Sequence, residues 1–162
     1  MKRFFHTVTI ATFALGLSLS AAMAATTIKV KLDDKAEGVD MSKSMGLGFA
    51  MNGDMSKAIM SVDVDKKQVV RGKVTFAVTN VSKSIVHELI VAPIKDENAT
   101  MPYDEKEFKV LEENSTHLGE VSELEPGKTG SLTLDLKPGK YLLYCNVPGH
   151  FMDGMWTTIE VK

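Results

Sequence analysis

Apolar side chains recur at every second position over much of this chain, and that period constrains the fold more than any other feature. In the first such stretch, Ile28, Val30 and Leu32 are separated by Lys29 and Lys31. Successive side chains of a β-strand point to opposite faces of the sheet, so this pattern predicts half-buried strands. The same period predicts further strands at residues 58–64, 74–78, 132–136 and 157–161, and a strand is also predicted at residues 141–145 after the KPGK turn.

Residues 85–92 differ, because they are apolar on both faces apart from His87 and Glu88. This composition predicts a central strand, and we expect Pro93 to end it because proline cannot donate to a strand ladder. The segments VRGK, NVSKS, EPGK and KPGK are typical of turns between strands. Seven or so short strands joined by such turns predict an all-β fold, an antiparallel β-sandwich or barrel.

Two segments lack the strand period. Residues 33–57 are rich in Gly, Asp, Ser and Met, and we interpret them as a loop-rich excursion too short to form its own core. Residues 94–120 are mostly charged and polar, with a short helix or strand predicted around Phe108, Val110 and Leu111.

The N-terminus has the features of a secretory signal peptide. Lys2 and Arg3 precede an apolar run over residues 8–22, which ends at the small-residue pattern Ala-Met-Ala. We expect cleavage after Ala24, which leaves residues 25–162 as a single exported domain in the periplasm. An uncleaved anchor is the alternative, but the run is shorter than the ~20 apolar residues of a membrane span.

The charge balance excludes one class of partner. The chain has 19 Lys+Arg and 21 Asp+Glu, and loss of Lys2 and Arg3 with the signal peptide leaves 17 against 21, a formal charge of −4. A mildly acidic chain without a basic block has no electrostatic means of holding nucleic acid.

The chain contains one cysteine, Cys145, within the segment YCNVPGHFMDGM. A single cysteine cannot close an internal disulfide, so in an oxidising compartment it is expected to pair with another chain, to be buried or to bind something. His150 follows five residues later and Met155 five residues after that, with glycines available for turns between them.

A thiolate, two imidazoles and a weak axial thioether are the ligands of copper sites that transfer single electrons. The segment from Cys145 to Met155 supplies three of these groups, so a second histidine must come from elsewhere in the chain. His87 lies in the apolar strand predicted at residues 85–92, where a buried ring needs a polar or metal partner. His117 lies in a polar context, and we interpret it as a solvated loop residue.

The segments VHELIVAP and YLLYCNVPGHFMDGMWTTIEVK resemble the cupredoxins, the small blue copper proteins. The Cys-x4-His-x4-Met spacing is most similar to the rusticyanin, auracyanin and sulfocyanin type. The resemblance covers roughly residues 58–162 and implies a Greek-key β-sandwich or barrel. It also implies that His87, Cys145 and His150 are the equatorial ligands of one type 1 copper and that Met155 is its axial ligand.

One position departs from the family pattern. Many cupredoxins have Asn or Ser directly after the first histidine ligand, where the side chain ties the ligand loops together. This chain has Glu88 there.

From these features we expect a periplasmic, monomeric one-electron carrier that is not an enzyme and has no membrane span after cleavage. Its partner would be a redox protein such as a c-type cytochrome, a terminal oxidase or a reductase. Pro148, Phe151 and Met152 are expected to form a hydrophobic landing surface beside His150.

The alternative function is copper handling, in which the protein sequesters or delivers copper in the periplasm as part of copper homeostasis or resistance. Thioethers favour Cu(I), and a second, weaker Cu(I) site is a hypothesis for Met41, Met45, Met51 and Met55. Packing or docking is the competing explanation for these methionines, because Met fills irregular gaps well. Met60 keeps the strand period and is assigned to the core.

Overall fold

The computed structural model describes residues 25–35 and 43–162. The predicted signal peptide and Met41 therefore lie outside the described residues. Apart from a 3-10 helix at Met55–Lys57 and a helix α1 at Glu112–Ser115, the regular elements are strands. They are β1 (Thr26–Asp34), β2 (Met60–Val64), β3 (Gln68–Val69), β4 (Gly72–Asn80), β5 (His87–Ile94), β6 (Tyr103–Asp104), β7 (Lys109–Val110), β8 (Gly119–Leu124), β9 (Thr129–Leu136), β10 (Gly139–Tyr144) and β11 (Trp156–Val161).

Two sheets make up the body of the structure. The first has the strand order β2-β1-β4-β9 and the second the order β3-β11-β10-β5-β8. Burial alternates along β1, β4 and β11, as the two-residue sequence period predicts. The predicted all-β class is therefore confirmed.

The main hydrophobic core draws side chains from both sheets, so it lies between them. Ile28 and Phe76 contribute from the first sheet, and Leu89, Leu143 and Ile159 contribute from the second. Each of these side chains is almost entirely removed from solvent. Burial of this apolar surface is the main favourable contribution to the free energy of folding.

A second core covers the outer face of the second sheet. Ile90 and Leu142 point to this face, where they pack with Phe49 from the 33–57 excursion and with Val110 from β7. Described residues of the two segments without a strand period thus help to cover this face of the sheet. This cover explains why β5 and β10 are buried on both faces, as a central strand requires.

Two details differ from the sequence predictions. The sheets are mixed, because β1 runs parallel to β4 and β3 runs parallel to β11. In addition, β5 continues through Pro93, which is paired with Tyr141 of β10. On its other side β5 pairs with β8, but this pairing ends at Val91. Pro93 therefore has no neighbouring strand on the β8 side.

The edge strand β8 was not predicted from the sequence. Val121 is its one buried residue. A strand that buries a single side chain needs no apolar alternation, so its sequence does not show one. Within residues 25–35 and 43–162, no helix is long and apolar enough to cross a lipid bilayer.

The two-core arrangement predicts unequal costs for two phenylalanine truncations. Phe76→Ala empties a fully buried position in the main core and should lower the free energy of unfolding by about 3–5 kcal/mol. Phe108→Ala changes a side chain that is 43% exposed and should alter it by less than about 1 kcal/mol. Denaturant unfolding of both variants measures the difference, and equal losses would contradict the assignment of Phe76 to the core.

Candidate metal centre

The segment between β10 and β11 is folded back on itself by its own backbone. The amide of Cys145 donates to the carbonyl of Met155 over 3.1 Å, and the amide of Met155 donates to the carbonyl of His150 over 3.0 Å. Gly149 and Gly154 have φ angles of +87° and +93°, a conformation that side chains with a Cβ rarely adopt. The glycines in the Cys-x4-His-x4-Met segment are therefore needed for its turns.

His87 reaches the same place from the first residue of β5. Its Nδ1 lies 3.2 Å from Nδ1 of His150, and that nitrogen lies 3.4 Å from Sγ of Cys145. The three ligand atoms all lie within 4.8 Å of one another, and all three residues are buried. The fold thus brings His87 to the loop that carries Cys145 and His150, so that two imidazoles and a thiol meet, as the chemistry of a type 1 copper site requires.

The two imidazoles are held in a form that can bind a metal. Burial lowers the pKa of His87 and lowers that of His150 to about 3, with the neighbouring His87 ring adding to the effect on His150. Both rings are therefore neutral at pH 7, and a neutral ring has one nitrogen with a free lone pair. The positions of these nitrogens fit a metal ion between the rings.

Asp34, the last residue of β1, orients the His87 ring. Its Oδ2 lies 3.1 Å from Nε2 of His87, and both side chains are buried. Donation from Nε2–H to the carboxylate leaves Nδ1 of His87 without a proton and directed toward His150. Sequence reasoning did not select Asp34, although its even position in β1 places it in register with Ile28, Val30 and Leu32.

The sulfur of Cys145 is enclosed. Its Sγ accepts a hydrogen bond from the backbone amide of Glu88 over 3.4 Å, and burial raises the pKa of the thiol to about 12. The metal-free protein therefore has a protonated thiol at neutral pH. A metal ion that binds here must displace that proton, because the thiolate is the form that coordinates.

Glu88 links the strand that carries His87 to the loop that carries Cys145. Its Oε1 accepts a hydrogen bond of 3.0 Å from the amide of Asn146, the residue after Cys145. The pairing register of β5 shifts between His87 and Leu89, a bulge that locally redirects the strand. Burial raises the pKa of the Glu88 carboxyl to about 7, and the hydrogen bond from Asn146 partly opposes this rise.

Two buried asparagines complete the framework. Asn146 exchanges hydrogen bonds with the backbone of Val110 and donates to Glu112, which attaches the 103–118 segment to the ligand loop. Asn80 donates to the carbonyls of Ile85 and Leu124 and so holds the segment that leads to His87. Sequence reasoning missed both, because an isolated Asn in or beside a strand has no distinguishing spacing.

The remaining candidates have different surroundings. Met155 is fully buried, and its backbone is hydrogen-bonded to those of Cys145 and His150. Its role as axial ligand stays a prediction. His117 lies outside the cluster and has Ser115 as its neighbour. Phe151 was expected on the landing surface, but it is 2% exposed and belongs to the second core. Aromatic packing against Tyr144 accounts for that burial.

Met60 and the methionines of the excursion differ in exposure. Met60 is buried in the main core, as its strand period predicts. Met45, Met51 and Met55 are each about 40% exposed. Met55 lies near Gly154, whereas Met51 and Met152 both lie near Gly48.

Comparison with known proteins agrees with this geometry. A family model described as copper binding proteins of the plastocyanin/azurin family matches residues 48–162. Similar solved structures include reduced auracyanin from Roseiflexus castenholzii, at 18% identity and a TM-score of 0.50, covering 86% of this chain and 98% of that one. A search of curated protein sequences found no match.

Two further structures show the same fold. Rusticyanin from Thiobacillus ferrooxidans is 17% identical with a TM-score of 0.52, and the match covers 86% of this chain and 79% of that one. Auracyanin A from Chloroflexus aurantiacus, described as a "blue" copper protein, is 18% identical with a TM-score of 0.51, and the match covers 85% and 99%.

A buried group of two histidines and one cysteine on a two-sheet β-fold defines a cupredoxin. The family match spans more than half of the sequence and includes all four predicted ligand residues. The chain therefore belongs to the plastocyanin/azurin family of copper-binding proteins.

The link through Glu88 predicts a difference between two substitutions. Glu88→Gln keeps an oxygen that can accept from the Asn146 amide, whereas Glu88→Leu leaves that buried amide without its partner. The free energy of unfolding of the metal-free protein should fall by about 1–3 kcal/mol more for Leu than for Gln. Denaturant unfolding of the two variants side by side tests this, and equal stabilities would show that the hydrogen bond is dispensable.

Proposed function

We propose that this protein is an exported type 1 copper protein that transfers single electrons between redox partners in the periplasm. The observation that carries the proposal is the convergence of His87 Nδ1, Cys145 Sγ and His150 Nδ1 within 4.8 Å. Family membership supports copper as the metal. The leader-like N-terminal sequence supports export.

Each ligand residue has a separate role in this proposal. His87, Cys145 and His150 hold the ion as equatorial ligands, and Met155 is the weak axial ligand. Copper, when bound, would supply a centre that alternates between Cu(II) and Cu(I) by gaining or losing one electron. Imidazole and thiolate together suit this ion, whereas carboxylate and carbonyl oxygens suit harder ions such as Mg²⁺ and Ca²⁺.

The surrounding structure is suited to electron transfer because it limits movement of the ligands. Asp34 holds the His87 ring, the Glu88 amide holds the sulfur, and the Glu88 carboxylate holds the loop after Cys145. Ligands that are fixed from outside the site need little rearrangement when the charge of the centre changes. The same enclosure supports the absence of an enzymatic substrate site, since catalysis by a metal requires an open coordination position.

The route for the electron is proposed to pass through His150. This ring is 4% exposed and stands in the loop with exposed Pro148 and half-buried Met152. We propose a c-type cytochrome, a terminal oxidase or a reductase as the redox partner, which a monomer would contact over a small area, as is usual for transient redox pairs.

Copper handling is the second candidate function, and one observation favours it. Three methionines of the excursion, Met45, Met51 and Met55, are partly exposed, although burial would be the usual state of such side chains. In this alternative, the four methionines Met41, Met45, Met51 and Met55 bind a second Cu(I), and the protein sequesters or delivers copper.

The main proposal is tested by adding Cu(II) to the purified mature protein. We expect one copper per chain, an intense sulfur-to-copper charge-transfer band in the visible spectrum and a type 1 EPR signal. Cys145→Ser should abolish the band because it removes the sulfur. Met155→Leu should keep the colour and change the reduction potential, because an axial thioether tunes the potential without forming the main bonds.

His117→Gln is the matched control, since it removes an imidazole outside the cluster and should leave the spectra unchanged. A wild-type protein that stays colourless with Cu(II) would refute the type 1 site. Electron transfer and copper handling are separated by stopped-flow mixing of the copper-loaded protein with a reduced c-type cytochrome. Rapid oxidation of the cytochrome at constant copper content supports electron transfer. Loss of copper to an acceptor, without oxidation of the cytochrome, supports copper handling.

A further inference from the structure

Three methionines that are distant in the sequence line one cavity at the surface. Met51 comes from the 33–57 excursion, Met101 from the segment before β6, and Met152 from the loop after His150. The cavity has a volume of about 240 Å³, and its other lining residues include Tyr103 and Glu105. Met101 and Met152 also pack against the second core, yet both remain half-buried beside the exposed Met51.

The position of Gly48 shows how closely two of these sulfurs approach. A Cβ built on Gly48 would lie 2.8 Å from Sδ of Met51 and 2.9 Å from Sδ of Met152. The two sulfur atoms therefore flank the same point, and they can do so because residue 48 has no side chain. Methionine has three rotatable side-chain bonds, so both thioethers can adjust to a common ligand.

The charge around the cavity favours a cation. The carboxylate of Glu105 lines the cavity, and that of Asp153 follows Met152 directly in the chain. Burial raises the pKa of Tyr103 to about 12, and the charges of Asp153 and Glu105 add to this rise. The hydroxyl of Tyr103 also has no hydrogen-bond partner among the described residues.

We propose that Met51, Met101 and Met152 form a second metal site, separate from the Cys145 centre, that binds Cu(I). Soft thioether sulfur selects Cu(I) over harder cations, and a nearby carboxylate offsets the charge of the ion. The site adjoins the loop that carries His150, because Met152 follows that residue by two positions. It is compatible with either candidate function of the protein.

This assignment differs from the second site that the sequence suggested. Met51 is shared by the two sets, but Met55 lines a different cavity, together with Gly154 and Ala58. Met45 does not line the three-methionine cavity. The folded chain thus groups Met51 with Met101 and Met152, which lie far from it in the sequence. The spacing of the methionines within the excursion does not suggest this grouping.

The test adds Cu(I) without oxygen to the mature protein labelled with ¹³C at the methionine methyl groups. We expect the wild type to bind one Cu(I) more than the triple variant Met51→Leu/Met101→Leu/Met152→Leu, whose side chains are close in volume to methionine. The matched control Met45→Leu/Met55→Leu removes exposed thioethers outside the cavity and should bind as many Cu(I) ions as the wild type.

The methyl spectrum of the wild type gives a second readout that does not depend on the folding of a variant. The additional Cu(I) should shift the methyl signals of Met51, Met101 and Met152 and leave those of Met45 and Met55 in place. Equal stoichiometry in the wild type and the triple variant, or shifts confined to Met45 and Met55, would overturn the proposal. A failure of the Cys145 centre is distinguishable, since it lowers copper binding equally in the wild type and the triple variant.

Discussion

The burial of a polar cluster at the ligand loop is the constraint on which the rest of the site depends. Two imidazoles and a thiol are removed from water together, and such groups are costly to bury unless each has a partner. Asp34 binds the outer nitrogen of His87, and the Glu88 amide binds the sulfur of Cys145. These contacts leave the inner nitrogen and sulfur atoms directed at one another, so the polar groups that stabilise the fold also prepare the metal centre.

The second core extends this constraint through the molecule. Phe49, Val110 and Phe151 cover the outer face of the β5–β10 pair, and Asn146 attaches the covering segment to the ligand loop. The described residues of the excursion and the polar segment, neither of which has a strand period, pack onto the sheet through this contact. They hold the loop after Cys145 from outside, and they bring Met51 and Met101 beside Met152. One packing arrangement therefore accounts for the support of the ligand loop and for the proposed thioether site.

Strands and ligand residues were predictable to different degrees. The two-residue period located β1, β4, β9 and β11, because a strand with one buried face shows its burial in its sequence. The edge strand β8 buries only Val121 and has no such period. Cys145 and His150 followed from the spacing of one loop, and His87 followed from an isolated polar ring in an apolar strand. Asp34, Glu88 and Asn146 act through contacts with distant residues, so their roles could not be read from spacing.

The sequence by itself determined the all-β class, the ligand types and their order along the chain, because these depend on local alternation and on the chemistry of single side chains. Only the tertiary structure decided the parallel pairing of β1 with β4, the continuation of β5 through Pro93 and the burial of Phe151. It also decided that Met51 lies beside Met152 rather than with the other methionines of the excursion. These features depend on which surfaces are covered when the two sheets and their outer segments pack, and that covering is a property of the whole chain.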